Sequence, residues 1–216
     1  MIEEILPPGA AAAERFGNGP VDDKPFPGEE EAIARAVPKR RDEYVAARAC
    51  ARRALAELGI APVPILSGPK REPLWPPGVV GSITHCDGYR AAAVARDDVL
   101  VSVGIDAEPH APLPDGVYDA IARPEEAARL PALRAADPSI CWDRLLFCAK
   151  EAIYKAWYPV TGRWLGFEDA LVTPAADGTF TVRILVPAPP PLAAPPPGRW
   201  LARDGLLLAA LSLPAT

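Results

Sequence analysis

Two stretches of the chain carry a clear helical period of apolar side chains. In residues 38–58, PKRRDEYVAARACARRALAEL, the positions Tyr44, Ala47, Ala51, Ala54, Leu55 and Leu58 fall on one stripe, and Gly59 ends it. In residues 141–157, CWDRLLFCAKEAIYKAW, the positions Trp142, Leu145, Leu146, Ala149, Ile153 and Trp157 mark one buried face, and Pro159 is expected to stop the helix. A weaker helical stretch lies at 124–134, inside a Pro-punctuated segment from 110 to 140. Between the two main helices the pattern becomes that of strands. Val79–Thr84 is a short strand, Tyr89–Arg96 follows an Asp87-Gly88 turn signal, and Val99–Ile105 is so apolar that it belongs inside a sheet. The tail predicts strands at Ala170–Thr173 and Thr179–Val186 and a hairpin around Asp204-Gly205. A polyproline-like connector, VPAPPPLAAPPPG, runs between the last two. Residues 1–28 read as loops with a short strand, and GPKREPLWPPG (68–78) reads as a loop. The order helix, strands, helix, strands predicts an α+β chain of two similar-sized halves, residues 1–100 and 101–216.

Composition narrows the function classes. The chain has 216 residues, half of them apolar, enough for a real core. With 23 basic and 28 acidic side chains the net charge is −5, which argues against bulk binding to nucleic acid or an anionic membrane. A local basic pocket for a phosphorylated small molecule is compatible with it. The cysteines Cys50, Cys86, Cys141 and Cys148 form no C-x-x-C pair and only two histidines exist, so a zinc site is not expected. Cys141 and Cys148, seven apart on a helix, lie about 10 Å apart, too far for a disulfide. All four read as reduced thiols of a cytoplasmic protein. The first residues lack the basic start and apolar core of a signal peptide, and no apolar run is long enough to span a bilayer.

The sharpest chemistry lies in Val103-Gly104-Ile105-Asp106-Ala107-Glu108, an apolar strand ending in two carboxylates. Side chains alternate along a strand, so Asp106 and Glu108 share a side, about 7 Å apart. Two hard oxygen donors at that spacing can share a Mg²⁺, which takes its other ligands from water and substrate phosphates. Taken by itself, D-x-E is more often a strand end with solvated acids. On the second helix Glu151 and Lys155 are four apart and share a face away from the apolar stripe. By itself that pair is a surface ion pair worth about 0.3–0.5 kcal/mol. In Gly81-Ser82-Ile83-Thr84-His85, His85 closes a strand; a structural role is the commoner one there, and bonding a phosphate is the alternative. Lys39, Arg40, Arg41 and Arg48 on the first helix and Lys70 and Arg71 in the Pro-rich loop form a basic set. Guanidinium groups at Arg40 and Arg48, two turns apart, suit a phosphate, whereas Arg41 and Arg52 read as a solvated face.

Taken together and in this order, G-S-x-T-H, G-I-D-A-E and F-C-A-K-E-A-x-Y-K resemble the larger, monomeric 4′-phosphopantetheinyl transferases, in particular the enterobactin-type branch of actinobacteria. The supporting stretches are Arg48 to Leu55, 75–89, 104–110, 142–157 and 164–170, so the resemblance covers most of residues 38–172. These enzymes serve siderophore, polyketide and nonribosomal peptide synthases. The resemblance implies a pseudo-dimer of two α+β halves with coenzyme A in the cleft between them. It implies nucleotide contacts in the N-terminal half, metal motifs in the C-terminal half, and apo acyl or peptidyl carrier protein domains as partners. By position, Asp106, Glu108 and Glu151 would form the Mg²⁺ site, with Ala107 lending backbone. Glu151 and Lys155 would be catalytic, with Lys155 also on the pyrophosphate. Thr84 and His85 would face phosphate at the nucleotide end. Arg40, Arg48 and Lys70 would hold the 3′-phosphate and adenine region, and Lys150 would be a further coenzyme A contact. Thr84 replaces the family's serine and keeps the hydroxyl. Two rivals share the acids: another Mg²⁺-dependent nucleotide phosphotransferase or hydrolase, and a non-catalytic module that binds coenzyme A or carrier protein.

Overall fold

The computed structural model describes residues 1–19 and 22–215. Pro20 and Val21, in the stretch expected to be loop, and Thr216 lie outside the described residues. The elements in chain order are β1 (Ala10–Phe16), α1 (Glu30–Ile33), α2 (Pro38–Glu57), β2 (Leu66–Ser67), β3 (Pro73–Leu74), β4 (Val79–Cys86), β5 (Tyr89–Arg96), β6 (Leu100–Pro109), α3 (Val117–Ile121), α4 (Pro124–Ala136), α5 (Trp142–Thr161), β7 (Ala170–Pro174), β8 (Thr179–Ile184), β9 (Gly198–Arg203) and β10 (Leu206–Pro214). The chain is α+β. One antiparallel sheet has the order β1-β5-β4, a second has β6-β10-β9-β8-β7, and β2 pairs with β3. No helix among the described residues is long and apolar enough to cross a membrane.

Period-two alternation sets the layers. On β5, Ala92 and Val94 pack with Ala51, Ala54 and Leu55 of α2. Its alternate residues, Tyr89, Ala91, Ala93 and Ala95, pack instead with Val103 and Ile105 of β6 and with Leu206, Leu208 and Ala210 of β10. The other face of β10, Leu207, Ala209, Leu211 and Leu213, packs with Leu145, Ala149, Ala152, Ile153 and Ala156 of α5. The sheets therefore lie face to face, with α2 outside one and α5 outside the other. Helix α2 buries every residue from Tyr44 to Arg52, well beyond the stripe its sequence period marks.

Three departures from the sequence reading have physical causes. The alanine-rich stretch 10–16 is a full strand of seven residues because β5 offers it a continuous antiparallel partner, from Ala10↔Ala95 to Phe16↔Tyr89. Pro159 does not stop α5, which runs to Thr161. A proline in the last turn removes one helical hydrogen bond only, and the stop comes at Gly162, whose φ of 63° is the left-handed cap. Finally, β4 and β6 run past their expected ends, so His85, Asp106 and Glu108 sit within strands.

The site depends on one close approach. A β-carbon at Gly104 of β6 would collide with the carbonyl oxygen of Ala152 and crowd the amide of Ala156. The missing side chain lets α5 lie directly on β6. Ser102 adds a hydrogen bond to the Ala156 carbonyl at 2.8 Å. Glu151 and Lys155, which flank those contact points on α5, are thereby set beside Asp106.

Candidate active site

The edges of the two sheets meet where β4 runs beside β6, and side-chain hydroxyls join them. The amide of Ile105 donates to Ser82 Oγ at 3.1 Å, and the amide of Ala107 donates to Thr84 Oγ1 at 3.0 Å. Thr84 in turn donates to Asp106 Oδ1 at 3.2 Å. Its buried hydroxyl thus supports Asp106. Lys155 reaches across from α5 to the same Oδ1 at 2.7 Å and to the Ile105 carbonyl at 3.2 Å. Among the described residues no ion pair forms between Lys155 and Glu151; the lysine spends its charge on β6. Burial alone would lower the Lys155 pKa, but the Asp106 carboxylate, with Glu151 further off, leaves it raised.

Asp106 is buried, and its second oxygen, Oδ2, has no hydrogen-bond partner among the described residues. An orphaned carboxylate oxygen in that setting is costly unless something cationic meets it. Glu108 gives Oε2 to Arg144 at 2.8 Å. Burial, then the Asp106 charge, raises the Glu108 pKa against the pull of Arg144. Burial and the Asp106 charge likewise raise that of Glu151. The three acids thus feel one another. Among the described residues no group of three or more acid, histidine or cysteine side chains is placed to hold a metal ion by itself. The donors present are all hard oxygens, one of them orphaned, with waters and phosphates free to complete the shell, which fits Mg²⁺.

A cleft of about 850 Å³ opens beside this cluster, walled by Arg40, Arg48, Lys70 and Arg71 on one side and by Glu151, Tyr154 and Lys155 on the other. Thr84 and His85 also line it, while Asp106 stands one contact behind, bonded to Thr84 and Lys155. Arg48 is buried, stacks on the Tyr44 ring at 3.7 Å, and donates to Ser67 Oγ at 3.0 Å and the Ile65 carbonyl at 3.4 Å. Arg40 hydrogen-bonds His85 Nε2; because a guanidinium only donates, the imidazole accepts.

Solvent reaches His85, yet the protein around its ring is dense. Lost hydration, and then the Arg40 charge, pull its pKa from 6.5 down to about 4. The ring is neutral at pH 7. Its contribution to stability is complete above 6.5 and is lost as the pH falls toward about 4, because the unfolded chain binds the proton more readily. NMR titration of the two histidines, His85 and His110, should show one midpoint near 4 that vanishes in His85→Gln and rises when pyrophosphate is added. A His85 midpoint near 6.5 would contradict this environment.

Lys150 and Arg52 both lie in buried ion pairs. Lys150 lines a recess beside Glu151 and Tyr154, and its buried ammonium pairs with Glu126 at 2.9 Å and donates to the carbonyls of Ile121, Phe167 and Ala170 at 3.0, 2.6 and 3.1 Å. It ties α5 to α4 and to the segment before β7. Arg52 is not solvated but buried, paired with Glu29 at 2.7 Å and stacked over Phe26 at 4.1 Å. Arg41 is exposed, in line with its reading. Sequence reasoning missed Arg144. The signal was present: Arg144, Glu151 and Lys155 are spaced seven and four apart, one face of α5.

The profile of the 4′-phosphopantetheinyl transferase N-terminal domain matches residues 28–95, and that of the 4′-phosphopantetheinyl transferase superfamily matches residues 102–200. The chain is 50% identical to the 4′-phosphopantetheinyl transferase Npt of Nocardia iowensis over 98% of this chain and 99% of that one. It is 54% identical to the 4′-phosphopantetheinyl transferase PptT of Mycobacterium tuberculosis over 88% of this chain and 86% of that one. To the 4′-phosphopantetheinyl transferase Svp of Streptomyces mobaraensis it is 48% identical over 100% and 90%.

Proposed function

This chain belongs to the 4′-phosphopantetheinyl transferase superfamily, and from that premise we propose how its cleft moves phosphopantetheine from coenzyme A to a serine of an apo carrier protein. The single observation that carries the reading is the buried, unpartnered Asp106 Oδ2 beside a cleft whose far wall is basic. The two α+β halves, 1–100 and 101–216, are read as a pseudo-dimer with the donor between them. The back-to-back sheets, each with its own outer helix, support that reading.

Arg40, Arg48, Lys70 and His85 hold the 3′-phosphate and adenine end, with Arg48 preset by Tyr44 and Ser67. Asp106, Glu108 and Glu151, with the Ala107 backbone, would hold Mg²⁺. When bound, that ion neutralises charge on the diphosphate. The recess lined by Lys150, Glu151, Tyr154, Trp164, Leu165 and Phe167 offers a partly apolar wall for the arm. Glu151 takes the proton of the serine hydroxyl, and burial with the Asp106 charge makes it more basic than a free carboxylate. The serine oxygen bonds to the β-phosphorus, and the bond from that phosphorus to the bridging oxygen breaks. Lys155, cationic through its contact with Asp106, stabilises the oxygen of the departing 3′,5′-adenosine bisphosphate.

Incubation with Mg²⁺, coenzyme A and an apo carrier domain tests this. The carrier should gain the mass of one phosphopantetheine. Coenzyme A cleaved with no gain on the carrier would favour a hydrolase, and coenzyme A bound but intact would favour a binding module. Arg48→Ala should raise KM for coenzyme A about tenfold or more with kcat little changed, the loss of one charged hydrogen bond. An unchanged KM would make Arg48 a purely structural residue.

A further inference from the structure

The two strand acids share a pattern. Each has one oxygen held by neighbours and one left over. Asp106 Oδ1 is held by Thr84 and Lys155, and Oδ2 has no partner. Glu108 Oε2 is held by Arg144, and among the described residues its other oxygen accepts no hydrogen bond. Arg144 is itself fixed. Its Nε donates to the Ala111 carbonyl at 3.1 Å and an NH2 hydrogen to the Pro112 carbonyl at 2.8 Å, leaving the NH1 end on Glu108. Next to it, Asp143 accepts the Leu113 amide at 3.0 Å, so the first turn of α5 grips the whole segment after β6. The pair is largely buried, with side chains 15% and 19% exposed, so its geometry is not that of a loose surface contact.

We infer that Arg144 is a positioning residue for the cation site: it pins one oxygen of Glu108 so that the other stays turned toward the cation held with Asp106 and Glu151. The inference rests on the metal reading of those three acids. A planar fork suits this task and an ammonium does not, because three acceptors must be met from one rigid group. Outer contacts of this kind commonly set metal affinity by about 10–100-fold.

The sign of the effect separates positioning from mere proximity. A guanidinium that only stood near the site would repel a cation, and its removal would tighten metal binding. Mn²⁺ is titrated into the protein with bound coenzyme A and no carrier, and free Mn²⁺ is read by electron paramagnetic resonance. Arg144→Gln should weaken Mn²⁺ binding about tenfold or more, and Arg144→Lys, which keeps the charge and loses the fork, should weaken it as well. In a Glu108→Gln background Arg144→Gln should have no further effect, because the arginine acts through that carboxylate. Unchanged or tighter binding in Arg144→Gln, or its full effect persisting without the Glu108 charge, would overturn the inference. Asp106→Asn, run in parallel, checks the premise: if it leaves Mn²⁺ affinity intact, the metal reading itself fails and Arg144 with it.

Discussion

Asp106→Ala lowers transfer to the carrier by about a thousandfold or more, the scale seen when a preorganised electrostatic contact is removed from a reacting centre. Two losses combine. The cation site loses its buried oxygen, and Lys155 loses the carboxylate that keeps it charged and aimed. The fold should tolerate the change. Thr84 and Lys155 each lose an acceptor, but the unpaired Oδ2 goes too, so stability should move by no more than about 2 kcal/mol. Carrier mass shift gives the rate and a thermal melt gives the stability. A variant with near-normal Mg²⁺-dependent turnover would remove Asp106 from the chemistry.

The second large effect comes from a residue that touches no substrate. Gly104→Ala places a methyl group against the Ala152 carbonyl and the Ala156 amide, both backbone atoms of α5 that cannot swing aside. The helix must lift or the strand must bend. Overpacking of this kind costs about 3 kcal/mol or more. Because Glu151 and Lys155 ride on the same turns, a lift of about 1 Å should also lower kcat about a hundredfold in the molecules that remain folded. Urea unfolding and initial rates on the same preparation separate the two losses. A variant with the midpoint and rate of the wild type would show that the strand–helix approach is not what sets the acids.

Legibility in the sequence followed periodicity. Helices α2 and α5 could be read because their apolar positions repeat at helical spacing, and strands β5 and β6 because they are apolar runs, the first of them after an Asp-Gly turn. Strand β1 could not be read in full, since four consecutive alanines carry no strand preference and the pairing with β5 supplies what propensity lacks. The acids Asp106, Glu108 and Glu151 were legible as chemistry, but not what holds them. The hydroxyl of Thr84 was visible, but not the β6 amide and carboxylate that it bonds. The burial of Lys150 and Arg52 was hidden for a related reason. Their partners, Glu126 and Glu29, lie 24 and 23 residues away in stretches whose packing no period announces. A buried ion pair is written in two distant places, and neither half looks different from a solvated charge.

The most direct test is diffraction from crystals grown with Mn²⁺ and coenzyme A, measured at the manganese edge. One anomalous peak should appear within bonding distance of Asp106, Glu108 and Glu151 and of the diphosphate. A peak elsewhere, or a diphosphate lying in the cleft with no metal against those three side chains, would contradict the assignment.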